Sequence, residues 1–229
     1  MKIAGLQKTT LLDYPGKVAC TVFLSGCNFR CPFCQNAEIL DGSVSDLSEE
    51  EFFAFLQKRR GLLDGVCVSG GEPLVHADIG TFLGKIKALG YAVKADTNGA
   101  FPDRLQALCE QGLVDYVAMD IKNSPEKYEK TAGVPVSMEK IKKSAAFLME
   151  GGCDYEFRTT VVKQLHRPED MLRIAQWLQG AKRYFLQNFR DADTVLQRGL
   201  TPLCDEELEA FKRLMRPFIP AVRIRGEQG

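Results

Sequence analysis

The stretch Gly26-Cys27-Asn28-Phe29-Arg30-Cys31-Pro32-Phe33-Cys34-Gln35-Asn36 carries three cysteines with the spacing C-x3-C-x2-C. Three thiolates this close along a chain can ligate metal, yet they are one ligand short of a tetrahedral zinc site or a fully ligated [4Fe–4S] cluster. Such a site leaves one metal position free to bind another molecule. The spacing therefore predicts a metal centre at Cys27, Cys31 and Cys34 with one open position.

An iron–sulfur cluster suits this pattern better than zinc. A structural zinc site usually takes its remaining ligands from a second C-x2-C pair or from histidines. The chain has no second pair, and its two histidines are His76 and His166. Cys20 is the nearest other thiol, but it falls within an apolar run typical of a buried strand. We interpret the five remaining cysteines as small buried hydrophobic residues; they are Cys20, Cys67, Cys109, Cys153 and Cys204.

The composition is that of an ordinary globular protein. Hydrophobic residues make up 45% and charged residues 26% of the 229 residues, which is enough for one sizeable core. Lys plus Arg and Asp plus Glu number 30 each, so net charge gives no reason to expect nucleic acid or an anionic membrane as partner. No apolar run approaches about 18 residues, and the first residues lack a signal-peptide core. We therefore expect a cytoplasmic protein without a membrane span.

Short apolar runs alternate with amphipathic segments, which predicts parallel βα units. Strands are predicted at 17–25, 65–69, 91–95, 115–119, 154–162 and 183–189, with a short edge strand at 221–225. Helices are predicted at 47–60, 77–89, 102–111, 137–150, 168–179 and 204–215, and a polar loop at 123–135. We expect one α/β domain over 1–229, with its core at about 17–190 and a C-terminal helix and tail at 191–229. Its parallel sheet either curls into a partial barrel or lies doubly wound.

Polar clusters follow four of the predicted strands. The cysteine loop follows the first, Gly70-Gly71-Glu72-Pro73 the second, Asp96-Thr97-Asn98-Gly99 the third and Asp120-Ile121-Lys122 the fourth. Each glycine-containing cluster could by itself be a simple turn. Because the carboxyl ends of parallel strands form one rim, where ligands bind in such folds, we expect the four clusters to share one site.

Several side chains within and near these clusters have a predicted role. Asp120 and Lys122 lie two residues apart, so both can face one side and grip a zwitterionic ligand, although a surface ion pair is the alternative. Arg158 on the fifth strand points into a barrel if its neighbours alternate, and a charge there needs a partner. Three aromatic residues near the cysteines could simply pack, although Phe33 could stack on a planar ring; they are Tyr14, Phe29 and Phe33.

The cysteine motif followed by GGEP resembles the radical S-adenosylmethionine (SAM) superfamily. The stretch LLDYPGKVACTVFLSGCNFRCPFCQN, residues 11–36, is similar to glycyl-radical-enzyme activases, most of all to the activating proteins of anaerobic ribonucleoside-triphosphate reductase. GGEP, DTNG and DIK continue the likeness to about residue 122.

This resemblance implies a partial (β/α)6 barrel holding one [4Fe–4S] cluster on Cys27, Cys31 and Cys34. SAM would chelate the fourth iron, and its reductive cleavage would give methionine and a 5′-deoxyadenosyl radical. That radical would take a hydrogen atom from a glycine of a partner, here anaerobic ribonucleotide reductase. A flavodoxin or ferredoxin would supply the electron. No cysteine group follows Cys34, so a single cluster is expected.

The resemblance also implies which residues contact SAM. Those matching the family's SAM-binding motifs are Gly70, Gly71 and Glu72 at the methionyl amino group, Phe33 beside adenine, Asn98, and Asp96, Thr97, Asp120 and Lys122 at the strand ends, where the aspartates and Thr97 would also bind a monovalent cation. The family's SAM-binding histidine on the sixth strand is missing. Gln187 or Asn188 is expected to contact the ribose instead.

Other functions remain open at this stage. A pyruvate formate-lyase-type activase and a small-molecule radical SAM enzyme similar to carboxy-deazaguanine synthase share the same motifs. The short segment after Phe189 favours an open mouth and a protein substrate over a lidded site. The non-enzymatic alternative is a zinc-binding interaction module.

Overall fold

The computed structural model describes residues 1–226, which form one eight-stranded sheet with seven α-helices. The strands are β1 Ile3–Thr10, β2 Ala19–Leu24, β3 Gly65–Gly70, β4 Ala92–Thr97, β5 Tyr116–Asp120, β6 Asp154–Val161, β7 Tyr184–Asn188 and β8 Val222–Ile224. The helices are α1 Glu49–Lys58, α2 Ile79–Ala88, α3 Pro102–Glu110, α4 Tyr128–Ala132, α5 Met138–Met149, α6 Pro168–Trp177 and α7 Asp205–Met215.

The strand order follows the chain from β1 to β8. Every neighbouring pair from β2 onward is parallel, and only β1 with β2 is antiparallel. A doubly wound sheet reverses its strand order at one point, whereas this sheet winds in one direction throughout. The fold is therefore the partial barrel that the sequence predicts, with β2–β7 as its six strands. The predicted edge strand is confirmed as β8, which pairs with β7 through Tyr184 and Val222.

The outer face of the sheet is apolar and the inner face is polar. Along β6, Tyr155 and Phe157 pack in the hydrophobic core while Glu156 and Arg158 point the other way and form ion pairs. The helices cover the outer face through buried residues at helical spacing, as in α1, where Ser48 forms a capping box with Glu51. Because charged side chains of several strands line the upper interior, among them Asp96, Asp120 and Arg158, the barrel is suited to hold a charged ligand there.

Two elements differ from the sequence-based prediction. β1 was not predicted; its register with β2 shifts twice and much of it is exposed, so its sequence lacks regular alternation. The polar loop at 123–135 contains α4, a helix of five residues that ends at Gly133 with φ +72. A side chain at Gly133 would overlap the carbonyl oxygen of Arg30, so this glycine lets α4 approach the cysteine loop.

The cysteines outside the triple fall into two groups. Cys20 and Cys67 are buried, as predicted. Cys109 and Cys153 are partly exposed and Cys204 is exposed before α7, so the prediction of burial is wrong for these three. Among the residues that the structure describes, no helix is long and apolar enough to cross a membrane.

Candidate active site

A cavity of about 410 Å³ opens at the carboxyl ends of the strands, a volume typical of small-molecule sites. All fifteen residues that the sequence analysis assigned to the site line it: Cys27, Cys31, Phe33, Cys34, Gly70, Gly71, Glu72, Asp96, Thr97, Asn98, Asp120, Lys122, Arg158, Gln187 and Asn188. Of the other aromatic residues, Phe29 lines the cavity. Tyr14 packs with Ala19 and Tyr116 at the opposite end of the barrel and does not belong to the site.

The cysteine loop is held in shape by its own polar groups. Arg30 donates from Nη1 to the carbonyl oxygens of Cys27 (2.7 Å) and Phe29 (2.8 Å). The amide of Cys34 donates to the carbonyl oxygen of Cys31 at 3.0 Å, closing a turn. Cys31 is buried, whereas Cys27 and Cys34 are partly exposed, and all three reach the cavity.

Neighbouring segments brace the same loop from outside. The amide of Arg30 donates to the carbonyl oxygen of Ala132 in α4 at 2.9 Å. On the other side, the amide of Leu196 donates to the carbonyl oxygen of Cys34 (3.0 Å). The amide of Gln197 donates to the carbonyl oxygen of Pro32 (2.9 Å). The segment after β7 therefore packs directly on the cysteine loop, although the sequence analysis treated it as a tail.

The three thiols suit a cluster better than a single ion. Burial raises the pKa of Cys27 to about 12 and also raises the pKa of Cys31, against the opposing effect of Lys122. Within residues 1–226, no group of three or more His, Cys, Asp and Glu side chains is gathered closely enough for one metal ion. Cysteines that each ligate a different iron of a cluster have no need to converge on one point.

The two histidines do not supply a zinc ligand set. Nε2 of His76 hydrogen-bonds the carbonyl oxygen of Ser25 at 2.9 Å. His166 accepts from the amide of Val162 at Nδ1 (3.0 Å), so its Nε2–H donates to the carbonyl oxygen of Lys122 (2.9 Å). Burial lowers the pKa of His166, which keeps it neutral, so this ring fixes the backbone of Lys122.

Gly70 and Gly71 bring the backbone of β3 against that of β2. Gly70 has φ +111, and a side chain there would overlap the backbone of Leu24. A side chain on Gly71 would overlap the carbonyl oxygen of Gly26. The sequence analysis placed these glycines at the methionyl amino group of SAM; the structure shows that they also admit Leu24 of β2 and Gly26 of the cysteine loop.

Glu72 is buried, and its carboxylate links two of the predicted clusters. Oε1 accepts from the amide of Leu74 (3.0 Å) and from the hydroxyl of Thr97 (2.9 Å), and Oε2 accepts from the amide of Asn98 (2.6 Å). Burial raises the pKa of Glu72 to about 7, although the three hydrogen bonds that the carboxylate accepts lower it. Asn98 extends the link by donating from its side chain to Oδ1 of Asn28 at 2.9 Å. The carboxylate of Glu72 therefore positions the DTNG turn.

A compact group of charges occupies the cavity floor. Arg158 donates to Asp120 (Nε, 2.9 Å) and lies 3.3 Å from Asp96, while Lys122 lies 3.0 Å from Asp120. Lys94, fully buried beneath, pairs with Asp96. Three cations thus face two carboxylates, leaving one positive charge in excess beside the thiols. This excess suits an anionic thiolate-ligated cluster and the carboxylate of an amino acid.

These partners fix the charge states. Burial raises the pKa values of Asp96 and Asp120, but Arg158 with Lys94 or Lys122 outweighs it and lowers both. Burial lowers the pKa of Lys122, but Asp120 and the Cys31 thiol outweigh it and raise it. Asp96, Asp120 and Lys122 are therefore charged at neutral pH. The predicted inward orientation of Arg158 is confirmed.

The same contacts do not fit a monovalent cation. Asp96 accepts from Lys94, Arg158 and the hydroxyl of Ser69 (2.9 Å), and both oxygens of Asp120 accept from cationic side chains. The hydroxyl of Thr97 is directed to Glu72. Because the protein's own cations already neutralise these carboxylates, we assign no step to a bound cation.

The two residues predicted to replace the family histidine differ in availability. The side chain of Asn188 is hydrogen-bonded to Leu203 in the segment after β7. Its Nδ2 donates to the carbonyl oxygen of Leu203 (2.8 Å), and its Oδ1 accepts from the backbone amide of Leu203 (3.0 Å). Gln187 lines the cavity from the end of β7. The ribose role therefore stays a prediction, for which Gln187 is better placed.

Sequence reasoning missed some residues that line the cavity or lie beneath its floor. Lys94 could have been found, because it lies two residues before Asp96 on one strand and shares its face. Arg190 and Arg225 line the far side of the cavity and carry no local signal. Arg225 stacks on Phe185 with its guanidinium 4.5 Å from the ring centroid and pairs with buried Glu156 at 2.6 Å.

Comparison with known proteins identifies the class. The family model of the radical SAM superfamily matches residues 21–178, and the chain belongs to that superfamily. It is therefore an oxidoreductase-type enzyme that uses a [4Fe–4S] cluster and SAM, the two groups that the cysteine triple and the charged floor fit.

Particular relatives share this architecture. The chain is 29% identical to a protein of Methanocaldococcus jannaschii provisionally named glycyl-radical enzyme activating enzyme, covering 99% of this chain and 97% of that one. It is 32% identical to the pyruvate formate-lyase-activating enzyme of Listeria monocytogenes over 56% of each chain. The SAM-bound structure of Streptococcus suis SuiB superposes with a TM-score of 0.69 at 14% identity, covering 90% of this chain and 52% of SuiB. That last likeness shows the fold alone.

Proposed function

We propose that this enzyme generates a glycyl radical on a partner enzyme, and that the partner is anaerobic ribonucleoside-triphosphate reductase. The observation that carries the activase proposal is the convergence of three thiols and a charged strand-end cluster on one cavity, in a chain similar over its whole length to an activating enzyme. The reductase is proposed because residues 11–36 resemble the activating proteins of that enzyme.

The residues of the site have distinct tasks in this proposal. Cys27, Cys31 and Cys34 would each hold one iron, leaving the fourth for SAM. Lys122 and Arg158 would pair with the SAM carboxylate, and Phe33 would pack beside its adenine. When bound, the cluster would supply the electron for reductive cleavage of SAM, the chemistry by which a hydrogen atom would be removed from the partner's glycine.

The mouth of the cavity supports a polypeptide substrate. Gln35, Asn36 and Arg190 are exposed there, and Gln35 donates from its side chain to the carbonyl oxygen of Arg190 at 2.7 Å. Exposed amides and a guanidinium suit the carbonyl groups of a bound loop. The segment after β7 braces the cysteine loop from the side.

The test is an anaerobic reconstitution with iron and sulfide, followed by reduction, addition of SAM and measurement of 5′-deoxyadenosine. The purified reductase or pyruvate formate-lyase is then added in parallel samples, and glycyl radical is recorded by EPR. A signal on the reductase alone supports the full proposal. A signal on pyruvate formate-lyase alone contradicts the partner but keeps the activase.

Two further outcomes would overturn the activase proposal. Cleavage of SAM with no glycyl radical on either protein would direct attention to small-molecule substrates such as those of carboxy-deazaguanine synthases. Stoichiometric zinc with no iron after anaerobic purification and reconstitution would favour a zinc-binding module. Cys31→Ala serves as the control, because it should remove both the cluster and product formation.

A further inference from the structure

The side of the cavity formed by β6, β7 and β8 carries a row of polar side chains. Thr160 of β6 is paired in register with Gln187 of β7. Leu186 is paired with Ile224, so the residue that follows β8, Arg225, lies beside Gln187. Thr160, Gln187 and Arg225 therefore stand at one level on three adjacent strands, and all three line the cavity.

Two members of this row have no partner inside the protein. Within residues 1–226, neither the hydroxyl of Thr160 nor the side-chain amide of Gln187 forms a hydrogen bond with another group. Polar side chains elsewhere in the cavity differ, because those of Asp96, Asn98 and Asp120 are all hydrogen-bonded. A hydroxyl and an amide each offer both a donor and an acceptor. This side of the cavity can therefore bind a neutral polar group of a ligand.

Arg225 is held in place by a carboxylate inside the barrel. Its Nη2 donates to Oε1 of Glu156 at 2.6 Å, and the side chain of Glu156 is fully buried. Oε2 of Glu156 accepts from the hydroxyl of Tyr116 at 3.1 Å. The central guanidinium carbon of Arg225 lies 4.5 Å from the ring centroid of Phe185, and the amide of Arg225 donates to the carbonyl oxygen of Leu186 at 2.8 Å. These contacts fix a side chain that reaches the cavity from the last strand.

The arrangement leaves N–H groups of Arg225 available to a ligand. A guanidinium has five N–H donors, and within residues 1–226 the side chain of Arg225 uses one of them, on Glu156. The carboxylate of Glu156 also balances the positive charge of Arg225. By contrast, the cavity floor at Lys122 and Arg158 has positive charge in excess. A neutral acceptor therefore suits Arg225 better than an anionic one.

We propose that Arg225, together with Thr160 and Gln187, binds the ribose hydroxyl groups of SAM, and that Glu156 is the positioning residue of Arg225. The carboxylate of SAM suits the excess positive charge of the cavity floor, and its adenine suits a flat apolar surface, for which Phe33 is predicted. The two adjacent ribose hydroxyls each donate and accept, so they match a row of one hydroxyl, one amide and one guanidinium. This role depends on the use of SAM and is independent of the partner enzyme.

The short strand β8 thereby contributes to ligand binding. β8 comprises Val222–Ile224 and lies at the edge of the sheet beside β7. Val222 is buried and belongs to the main core, so β8 keeps its place without the ion pair. The guanidinium of Arg225, however, would lose its charged partner if Glu156 were replaced. We therefore expect a change at Glu156 to weaken recognition of the ribose while the fold is retained.

The experiment measures binding to the reconstituted holoenzyme without oxygen and without reductant, so that SAM stays intact. Dissociation constants are determined by equilibrium dialysis for SAM and for its 2′-deoxy and 3′-deoxy analogues. The wild type should bind at least one analogue about 10-fold more weakly than SAM, because a group of the row loses its partner. The double variant Glu156→Gln/Arg225→Met leaves no unpaired buried charge. In it, the preference for SAM over that analogue should fall by at least about threefold.

Two single variants complete the test, with iron content and melting temperature measured for each protein. Glu156→Gln should show a preference between those of the wild type and the double variant; a preference equal to that of the wild type would remove Glu156 as the positioning residue. Arg223→Met, which changes an exposed arginine of β8 that does not line the cavity, should match the wild type.

Two results would overturn the ribose role of Arg225. One is equal binding of SAM and both analogues by the wild type. The other is a folded double variant with intact iron content that keeps the full preference for SAM, even if its affinity for all three compounds is lower. A missing glycyl radical on every partner tested would contradict the proposed function and would leave these binding results unaffected.

Discussion

Replacing Glu72 by Gln removes one charge from the carboxylate that holds the DTNG turn. The amide oxygen can keep the two contacts of Oε1, with Leu74 and Thr97, but the amide nitrogen then faces the backbone N–H of Asn98, which now lies 2.6 Å from Oε2. Leaving the buried N–H of Asn98 unpaired costs about 1–3 kcal/mol.

A second effect has the opposite sign. The pKa of Glu72 is raised by burial from 4.5 to about 7, so the folded protein holds this proton more tightly than the unfolded chain. The stabilisation is fully present below about pH 4.5 and is lost as the pH rises through about 7, by about 3 kcal/mol in total. Glutamine has no charge to bury and shows no such loss.

Together, the two effects make the free energy of unfolding of the variant, relative to that of the wild type, depend on pH. Between about pH 5.5 and about pH 8 the wild type loses about 2 kcal/mol relative to Glu72→Gln. For a domain of this size, a change of about 2 kcal/mol makes the difference in melting temperature between the wild type and the variant smaller by about 4–8 °C at the higher pH. We expect the variant to be clearly less stable at the lower pH and close to the wild type at the higher one.

The assay is thermal unfolding of both proteins, prepared identically under anaerobic reducing conditions, at the two pH values. Asp46→Asn, which removes one charge from an exposed loop, controls for the general effect of charge. A difference in melting temperature that stays constant with pH would refute the raised pKa of Glu72. A difference that widens as the pH rises would show that the three donors stabilise the anion more than burial destabilises it.

Three further variants test the site. Cys31→Ala should lose the four-iron cluster measured by iron content and absorbance, whereas Cys20→Ala should keep it; equal iron in both would contradict the ligand assignment. Lys122→Met should raise the dissociation constant of SAM by about 10- to 100-fold at unchanged iron content, and an unchanged constant would remove Lys122 from the SAM site. Gly71→Ala should lower the melting temperature sharply because its side chain would overlap Gly26, while Gly84→Ala in α2, with its nearest contact at 3.9 Å, should be neutral or up to about 1 kcal/mol stabilising.

The sequence predicts the barrel well because β2, β3 and β5 are buried, mainly apolar runs with polar residues at or after their ends. It does not predict β1, whose irregular pairing with β2 leaves no alternation, or α4, whose five residues are too few for a periodic signal. These two elements are defined by the contacts that they make, and such contacts carry no local pattern.

The candidate site was predictable as a set of positions but not as a set of interactions. Parallel topology places the strand ends together, so all fifteen residues of the predicted site reach the cavity, whereas Tyr14 does not. Which donor meets which acceptor depends on side-chain direction across strands. The carboxylate of Glu72 accepts from the amide of Asn98, and the side-chain amide of Asn188 donates to the carbonyl oxygen of Leu203. Such pairings require coordinates, because many partners are available to each polar side chain at a crowded rim.

The hydrogen bonds that hold the cysteine loop in place indicate at which stage of folding the cluster is inserted. Backbone hydrogen bonds from α4, from the segment after β7 and from the GGEP turn all end on this loop; they join Arg30 to Ala132, Leu196 to Cys34, and Glu72 to Gly26. Each belongs to an element with its own buried residues in the main core. The loop is therefore shaped by protein contacts, unlike a zinc finger, where metal supplies the folding energy. We therefore expect the protein to fold before the cluster is inserted. Without iron, the folded protein should already have its cysteine loop in the conformation described here, and it should unfold cooperatively.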